Sequence, residues 1–186
     1  MIGRILDQHQ ELHGSGVSRR HILATVDILG TITAFYGSWR TPIKTGNTLW
    51  GQLMRIENQI IEGKVDSVGG VYYLPLHWVS VVLSIQEGCI LYGDSLGQPL
   101  PKLERHAFTQ WIQHLKRRSN QEAGDGSVLV HPLSTAHQDD GISCGLFALN
   151  AISHHYLGHP LLSPDEISLA CNRMEIALDL LHANTV

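Results

Sequence analysis

The pattern of apolar and polar positions is clearest between residues 77 and 95. In 77–85 (HWVSVVLSI) four apolar side chains fall on one face and the serines on the other; the four are Val79, Val81, Leu83 and Ile85. A second apolar run, 89–95 (CILYGDS), follows after the short polar segment QEG. Two such runs joined by a short loop predict a β-hairpin.

Helices are predicted over 49–62, over 99–118 and from residue 144 onward, because apolar residues recur there at intervals of three and four. The three stripes consist of Leu49, Leu53, Ile56 and Ile60, then Leu103, Ala107, Trp111 and Leu115, and last Leu146, Leu149 and Ile152. Residues 20–29 also have helical character. The run 128–133 (VLVHPL) predicts a short strand.

The C-terminal segment 163–183 carries the signals of a helix start. Ser163 is the expected N-cap, Pro164 would occupy the first helical position, and Glu166 would complete a capping box. The stripe expected to face the core consists of Ile167, Ala170, Met174, Ala177 and Leu181. Strands and helices in this order predict an α+β fold with a central sheet packed between helices.

Length and composition narrow the class of protein. A chain of 186 residues suits a single domain over 1–186, of which 1–48 is poorly defined by its pattern. The net charge of −4 gives no reason to expect nucleic-acid binding, and no apolar run approaches the roughly 18 residues of a membrane span. The basic residues of 102–118 are interpreted as a solvated helix face.

The cysteines and histidines do not form a metal or disulfide pattern. Cys89, Cys144 and Cys171 are widely spaced and odd in number, which indicates free thiols in a reducing intracellular compartment. His154, His155 and His159 cluster without a cysteine pair, so surface histidines are favoured over a metal site. We expect no metal and no organic cofactor.

Cys144 lies at the predicted start of a helix in HQDDGISCGLFALNAI, residues 137–152. Unpaired backbone N–H groups and the helix dipole stabilise a thiolate there, which is one requirement for a nucleophile. Gly141 and Gly145 flank it and would let a substrate backbone approach closely. The alternative is an inert cysteine that only fills space at a helix start.

The predicted hairpin carries His77 on one strand and Asp94 on the other. If the turn centres on Ile85 and Gln86, His77 lies opposite Asp94, within reach of a hydrogen bond. If it centres on Glu87 and Gly88, Asp94 faces Val81 and is too distant for contact. The first register would complete a Cys-His-acid triad, so the hypothesis requires it.

Gln138 lies six residues before Cys144. Its side-chain amide is suited to donate to an oxyanion beside the backbone N–H of Cys144. Taken alone, each of these four residues has an ordinary structural explanation.

Together they resemble the ubiquitin-like-protein-specific (SUMO, or sentrin-specific) cysteine proteases. The matching segments are HWVSVVLSIQEGCILYGDSL and HQDDGISCG, in which the order and spacing of His, Asp, Gln and Cys agree with the family. They are most similar to versions from mushroom-type fungi, often found beside mobile elements. The resemblance covers roughly residues 70–182 and implies a papain-like fold of the SUMO-protease type, with its catalytic core there.

The resemblance also implies roles for individual residues. Cys144 would be the nucleophile, His77 the general base, Asp94 the residue that orients His77, and Gln138 an oxyanion-hole donor. Trp78 would line a channel for a Gly-Gly tail, and the reaction would be hydrolysis after that tail through an acyl-thioester. The implied partners are a ubiquitin-like protein, SUMO or ubiquitin, and its conjugates, and together with the free thiols the resemblance implies a nuclear or cytoplasmic location. We also expect the protein to be a monomer.

One family feature is missing from the N-terminal third. The segment GRILDQHQ has Leu6 and Asp7 but lacks the tryptophan that usually closes the channel. Either Trp39 or Trp50 replaces it, or the channel is more open than in the family. Four alternatives stay open: a deubiquitinase, a protease for a Nedd-type modifier, an acyltransferase with the same triad, and a binding module that cuts nothing.

Overall fold

The computed structural model describes residues 20–37, 48–119 and 127–183. Its strands are β1 (His21–Leu23), β2 (Ser67–Leu74), β3 (His77–Ser84), β4 (Cys89–Gly93) and β5 (Leu129–Pro132). Its helices are α1 (Val26–Gly37), α2 (Thr48–Ile61), α3 (Lys102–Arg118), α4 (Cys144–Leu157) and α5 (Glu166–Ala183). The strands form one mixed sheet in chain order, antiparallel from β2 to β4 and parallel at both edges. The predicted α+β class and central sheet are confirmed.

Strand β3 is buried on both faces. The predicted apolar face, from Val79 to Ile85, packs into a core with α1, α2 and α3. On the opposite face Val82 packs against Ala151 and Ile152 of α4. Because α4 covers this second face, Ser80 and Ser84 are buried as well, although alternation alone predicts a solvated side.

Helices α2, α3 and α4 match the sequence prediction closely, and β5 lies within the predicted run. The stripe of α3 is buried from Ala107 to Leu115, whereas Leu103 is 60% exposed. The helix expected over 20–29 is wrong at its start. Residues 21–23 form the edge strand β1, and the helix begins at Val26.

Strand β2 has no counterpart in the sequence prediction, because Gly69 and Gly70 interrupt its apolar pattern. Their lack of a side chain is required by close packing. A Cβ on Gly69 would lie 2.4 Å from the Tyr156 hydroxyl, and one on Gly70 would lie 2.5 Å from the Ala24 carbonyl oxygen. The glycines thus let β1 and α4 approach the strand.

The predicted start and inner face of α5 are wrong. The helix begins at Glu166, and Asp165 rather than Ser163 caps it by accepting a hydrogen bond from the Ser168 N–H. Leu169 is the buried residue of its first turns, while Ile167 and Met174 are 78% and 67% exposed. No helix among the described residues is both long and apolar enough to cross a membrane.

A buried carboxylate joins the three helices on one face of the sheet. Glu57 of α2 is fully buried and accepts hydrogen bonds from Trp111 Nε1 of α3 at 2.8 Å and from the Tyr36 hydroxyl of α1 at 3.1 Å. Arg118 supplies the opposite charge at 3.2 Å. A buried carboxylate with a full set of partners is costly to disrupt, because each orphaned partner then loses its hydrogen bond without regaining water.

Replacing this carboxylate should therefore weaken the whole helical layer. We expect Glu57→Ala to lower the free energy of unfolding by about 3 kcal/mol, the low end for a broken buried pair because Arg118 remains half exposed and can be hydrated. The matched control is Glu62→Ala, which removes only the exposed pair with Lys64 and should change stability by less than about 0.5 kcal/mol. Urea unfolding curves of the two variants measure the difference; equal stabilities would contradict the role of Glu57.

Candidate active site

His77 and Asp94 form a partly buried pair at one end of the sheet. His77 Nε2 lies 2.9 Å from Asp94 Oδ1, and the side chains are 15% and 2% exposed. The carboxylate also accepts hydrogen bonds from the Tyr92 hydroxyl at 3.2 Å and from the Leu96 N–H at 2.7 Å. Because a carboxylate accepts, Nε2 is the protonated nitrogen, and Nδ1 is left to exchange a proton with a reacting group.

Tyr92 remains a donor to this carboxylate at any physiological pH. Burial, and then the adjacent negative charge of Asp94, raise the pKa of Tyr92 well above its usual range. The phenol therefore keeps its proton and helps to fix the orientation of Asp94. The three donors hold the carboxylate against rotation, so it presents one oxygen to the imidazole.

The register that brings this pair together differs from both expected ones. Ser80 pairs with Gly93, so the turn centres between Gln86 and Glu87, midway between the two predicted positions. Gly88 takes a φ of +68°, which closes the turn after four residues instead of two. The requirement that His77 pair directly with Asp94 is therefore wrong. The contact is diagonal, and it forms at the point where the chain leaves the sheet, because β4 ends at Gly93 and Asp94 leads into a turn.

Cys144 is the first residue of α4, as the sequence predicts, and it is buried. Two contacts fix this helix across β3. The Ser80 hydroxyl donates to the Ala148 carbonyl oxygen at 3.2 Å, and the Cβ position of Gly145 lies 3.7 Å from the Trp78 ring. Trp78 directly follows His77, so these contacts bring the N-terminus of α4 to the end of the sheet that carries the His77–Asp94 pair.

Gln138 is 3% exposed and is held from both ends of its side chain. Its Oε1 accepts from the Ser95 hydroxyl at 2.5 Å, while Nε2 donates to the Asp140 carbonyl oxygen at 2.7 Å. Its backbone N–H also donates to the Ser95 carbonyl oxygen at 3.0 Å. One amide hydrogen of Nε2 has no partner among the described residues, and a fixed donor of this kind suits a developing negative charge.

The loop before Cys144 is shaped by a network that the sequence did not reveal. Asp140 accepts from the backbone N–H groups of Ile142 and Ser143 at 3.1 and 2.8 Å, and from the Ser143 hydroxyl. Arg173 of α5 donates to the Ser143 hydroxyl oxygen at 2.6 Å and lies 3.7 Å from the Asp140 carboxylate. These hydrogen bonds, led by that from the Ser143 hydroxyl, lower the pKa of Asp140, which therefore stays ionised at neutral pH.

The aromatic residue that contacts Trp78 comes from the neighbouring strand. Tyr73 of β2 pairs with Trp78 of β3, and the centres of their rings lie 4.9 Å apart. Trp50 instead packs against Phe35 within the helical layer. Trp39 lies outside the described residues. The described residues contain no group of three His, Cys, Asp or Glu side chains arranged to hold a metal ion.

A family model and a viral protein both match this chain. The family model described as "Ulp1 protease family, C-terminal catalytic domain" matches residues 73–176, a segment that contains His77, Asp94, Gln138 and Cys144. A protein of Acanthamoeba polyphaga mimivirus, named as a thiol protease, R355, is 26% identical over 84 residues, which are 45% of this chain and 26% of the viral protein.

Solved structures show the same fold. The C-terminal Ulp1 protease domain in complex with Smt3, the yeast ortholog of SUMO, has a TM-score of 0.53 at 20% identity, over 83% of this chain and 64% of that one. The SUMO protease Ulp1 with its catalytic cysteine oxidised to a sulfenic acid has a TM-score of 0.60 at 17% identity, over 92% and 69%. The Ulp1-like SUMO protease catalytic domain of Chaetomium thermophilum has a TM-score of 0.57 at 14% identity, over 83% and 58%. The fold predicted by resemblance is confirmed.

The environments of Cys89 and Cys171 predict different alkylation behaviour. Cys89 is buried, and burial together with the Glu87 carboxylate raises the pKa of its thiol, whereas Cys171 is exposed. A raised pKa means less thiolate near pH 8, so we expect iodoacetamide to modify Cys171 first and Cys89 only at more alkaline pH. Mass spectrometry of tryptic peptides across pH 7–10 measures both rates. If Cys89 were modified as fast as Cys171 at pH 8, the buried environment and the raised pKa of Cys89 would be contradicted.

Proposed function

The chain belongs to the Ulp1 protease family, whose catalytic-domain model matches residues 73–176, and on that premise we propose that it is a cysteine protease for ubiquitin-like modifiers. It would cleave after the C-terminal Gly-Gly of the modifier, either in a precursor peptide or in an isopeptide bond to lysine. SUMO is the first candidate, because related structures are SUMO proteases. The observation that carries the proposal is the partly buried His77–Asp94 pair at the end of the sheet where α4 begins with Cys144.

The proposed reaction starts with the sulfur of Cys144. His77 Nδ1 takes the thiol proton, and the sulfur attacks the carbonyl carbon of the last glycine. The carbonyl oxygen becomes an oxyanion, which the free amide hydrogen of Gln138 and the backbone N–H of Cys144 would stabilise. When the C–N bond breaks, the imidazolium returns the proton to the leaving amine, and a thioester remains.

Hydrolysis of the thioester repeats these steps with water. His77 removes a proton from the attacking water, the oxyanion forms again at the same place, and the C–S bond breaks. The products are the free carboxylate of the modifier and the regenerated thiol. Asp94 stabilises the imidazolium at both stages and keeps its Nδ1 directed toward the reacting atoms, since Nε2 is held in the 2.9 Å hydrogen bond.

The nucleophile and the modifier can be identified in one experiment. SUMO, ubiquitin and Nedd-type probes with a C-terminal electrophile are incubated with the wild type, Cys144→Ala and the control Cys171→Ala. We expect a covalent adduct with the SUMO probe in the wild type and in Cys171→Ala but none in Cys144→Ala, because Cys144 begins α4 at the end of the sheet that carries the proposed base, whereas Cys171 lies within α5. Adducts at Cys89 or Cys171 would overturn the assignment of Cys144 as the nucleophile. Tight binding of the modifier without cleavage of any conjugate would favour a binding module. Reaction with the ubiquitin or Nedd-type probe instead would reassign the substrate.

The general base and the oxyanion donor should differ in their effect on turnover. We expect His77→Ala to reduce hydrolysis to background, while Gln138→Ala keeps measurable activity, because loss of one oxyanion donor typically costs about 10²–10³ in rate. The exposed residues His106 and Gln52 supply the controls His106→Ala and Gln52→Ala. The measurement is kcat on a SUMO C-terminal fluorogenic substrate, with thermal melts to verify folding. Equal rates for Gln138→Ala and wild type would remove Gln138 from the mechanism.

A further inference from the structure

The Gln138 amide can stabilise an oxyanion only if its free hydrogen is directed at one place. A side-chain amide is planar, so the directions of its oxygen and of its two N–H bonds are fixed relative to one another. The Ser95 hydroxyl holds Oε1 at 2.5 Å, and the Asp140 carbonyl oxygen accepts one amide hydrogen from Nε2 at 2.7 Å. The position of the Asp140 carbonyl group therefore determines where the second hydrogen points.

Asp140 lies in the loop before α4, outside the helices and strands of the described residues. Its own carboxylate shapes this turn, because it accepts hydrogen bonds from the N–H groups of Ile142 and Ser143 at 3.1 and 2.8 Å and from the Ser143 hydroxyl. All these donors lie within three residues of Asp140. They fix the form of the turn but tie it to nothing beyond the start of α4.

Arg173 of α5 connects the turn to a distant part of the chain. Its Nη2 donates to the Ser143 hydroxyl oxygen at 2.6 Å and lies 3.7 Å from the Asp140 carboxylate. Ser143 is 1% exposed, and its hydroxyl in turn donates to that carboxylate. The hydroxyl thus accepts from a cation and donates to an anion, and each of these hydrogen bonds strengthens the other.

The exposure of Arg173 argues for a role other than the stability of the fold. The side chains of Arg173 and Asp140 are 44% and 35% exposed, and ion pairs that water can reach contribute little to stability. The guanidinium is nevertheless held by a 2.6 Å hydrogen bond to a buried serine, directly before the proposed nucleophile. Its contacts thus determine the position of a loop more than they stabilise the domain.

We propose that Arg173 is a positioning residue for the oxyanion donor Gln138. It fixes Ser143 and Asp140, and the Asp140 carbonyl then directs the free amide hydrogen toward the carbonyl oxygen of the bond to be cleaved. This inference rests on the proposed function and assigns Arg173 no contact with the reacting atoms. Without Arg173 the amide keeps its chemistry, but its hydrogen points over a range of directions and stabilises the oxyanion less.

A double-mutant cycle tests this coupling. Wild type, Arg173→Ala, Gln138→Ala and the double variant are assayed on the C-terminal fluorogenic conjugate, of SUMO, ubiquitin or a Nedd-type modifier, that the wild type cleaves fastest. We expect Arg173→Ala to lower kcat about tenfold, less than the loss of the donor itself, with KM within about twofold of wild type. In the Gln138→Ala background the same change should lower kcat less than about twofold, because residues that act as one unit are not additive.

Two further variants separate position from charge and from folding. Both contacts of Arg173 are made by the single nitrogen Nη2, so an ammonium group can replace it, and we expect Arg173→Lys to recover most of the lost kcat. The matched control is Arg55→Ala, which removes the same charge from an exposed position on α2 and should leave kcat unchanged. Thermal melts of each variant measure folding.

Ser143→Ala supplies the same test without altering α5. It removes the hydroxyl through which Arg173 acts, so we expect a similar fall in kcat that disappears in the Gln138→Ala background; this result decides the question if Arg173→Ala does not fold. Unchanged kcat in both variants, or an equal factor of loss with and without Gln138, would overturn the inference and leave the proposed function intact. A wild type that cleaves none of the three conjugates would overturn the proposed function and this inference with it.

Discussion

The packing of α4 across β3 is the constraint on which the rest of the site depends. Cys144 and His77 lie far apart in the sequence, and the contacts of α4 with β3 place the N-terminus of α4 at the end of the sheet that carries His77. A Cβ at position 145 would lie 3.7 Å from the Trp78 ring, which is ordinary van der Waals contact, and the buried Ser80 hydroxyl ties the helix backbone to the strand. A side chain larger than that of alanine at 145 would therefore meet the Trp78 ring and push the N-terminus of α4, and with it the sulfur, away from the sheet.

Next to the contact between α4 and β3, a series of hydrogen bonds links the polar residues of the site. Asp94 holds His77, the adjacent Ser95 holds Gln138, and Gln138 holds the loop that Asp140 shapes before Cys144. Each polar side chain in this series is held by at least one hydrogen bond to a protein group, so the arrangement exists before any substrate arrives. Preorganised donors and acceptors stabilise charge without the cost of reorienting at the moment of reaction.

Much of this could be predicted from the sequence, but what depends on turn geometry or distant contacts could not. The alternation from Val79 to Ile85 and the start of α4 at Cys144 are local patterns, and both are confirmed. The predicted hairpin registers were wrong, because Gly88 in a left-handed conformation allows a four-residue turn that the spacing of the residues does not specify. Arg173 was missed because its partner lies 30 residues away. The predicted inner face of α5 was wrong for a different reason. Apolar spacing shows that a helix has an apolar stripe, but it does not show whether another element covers that stripe.

The contact between Arg173 and the Asp140 loop gives α5 a role in defining the minimal catalytic unit. Among the described residues this helix is attached to the rest of the protein by few groups, chiefly Leu169 and the Arg173 guanidinium. A shortened chain that stops before Arg173 would retain the whole sheet and every residue assigned a chemical role. It would nevertheless lose the cation that braces the turn before Cys144, the proposed nucleophile, so we expect such a chain to fold and yet to be a poor enzyme.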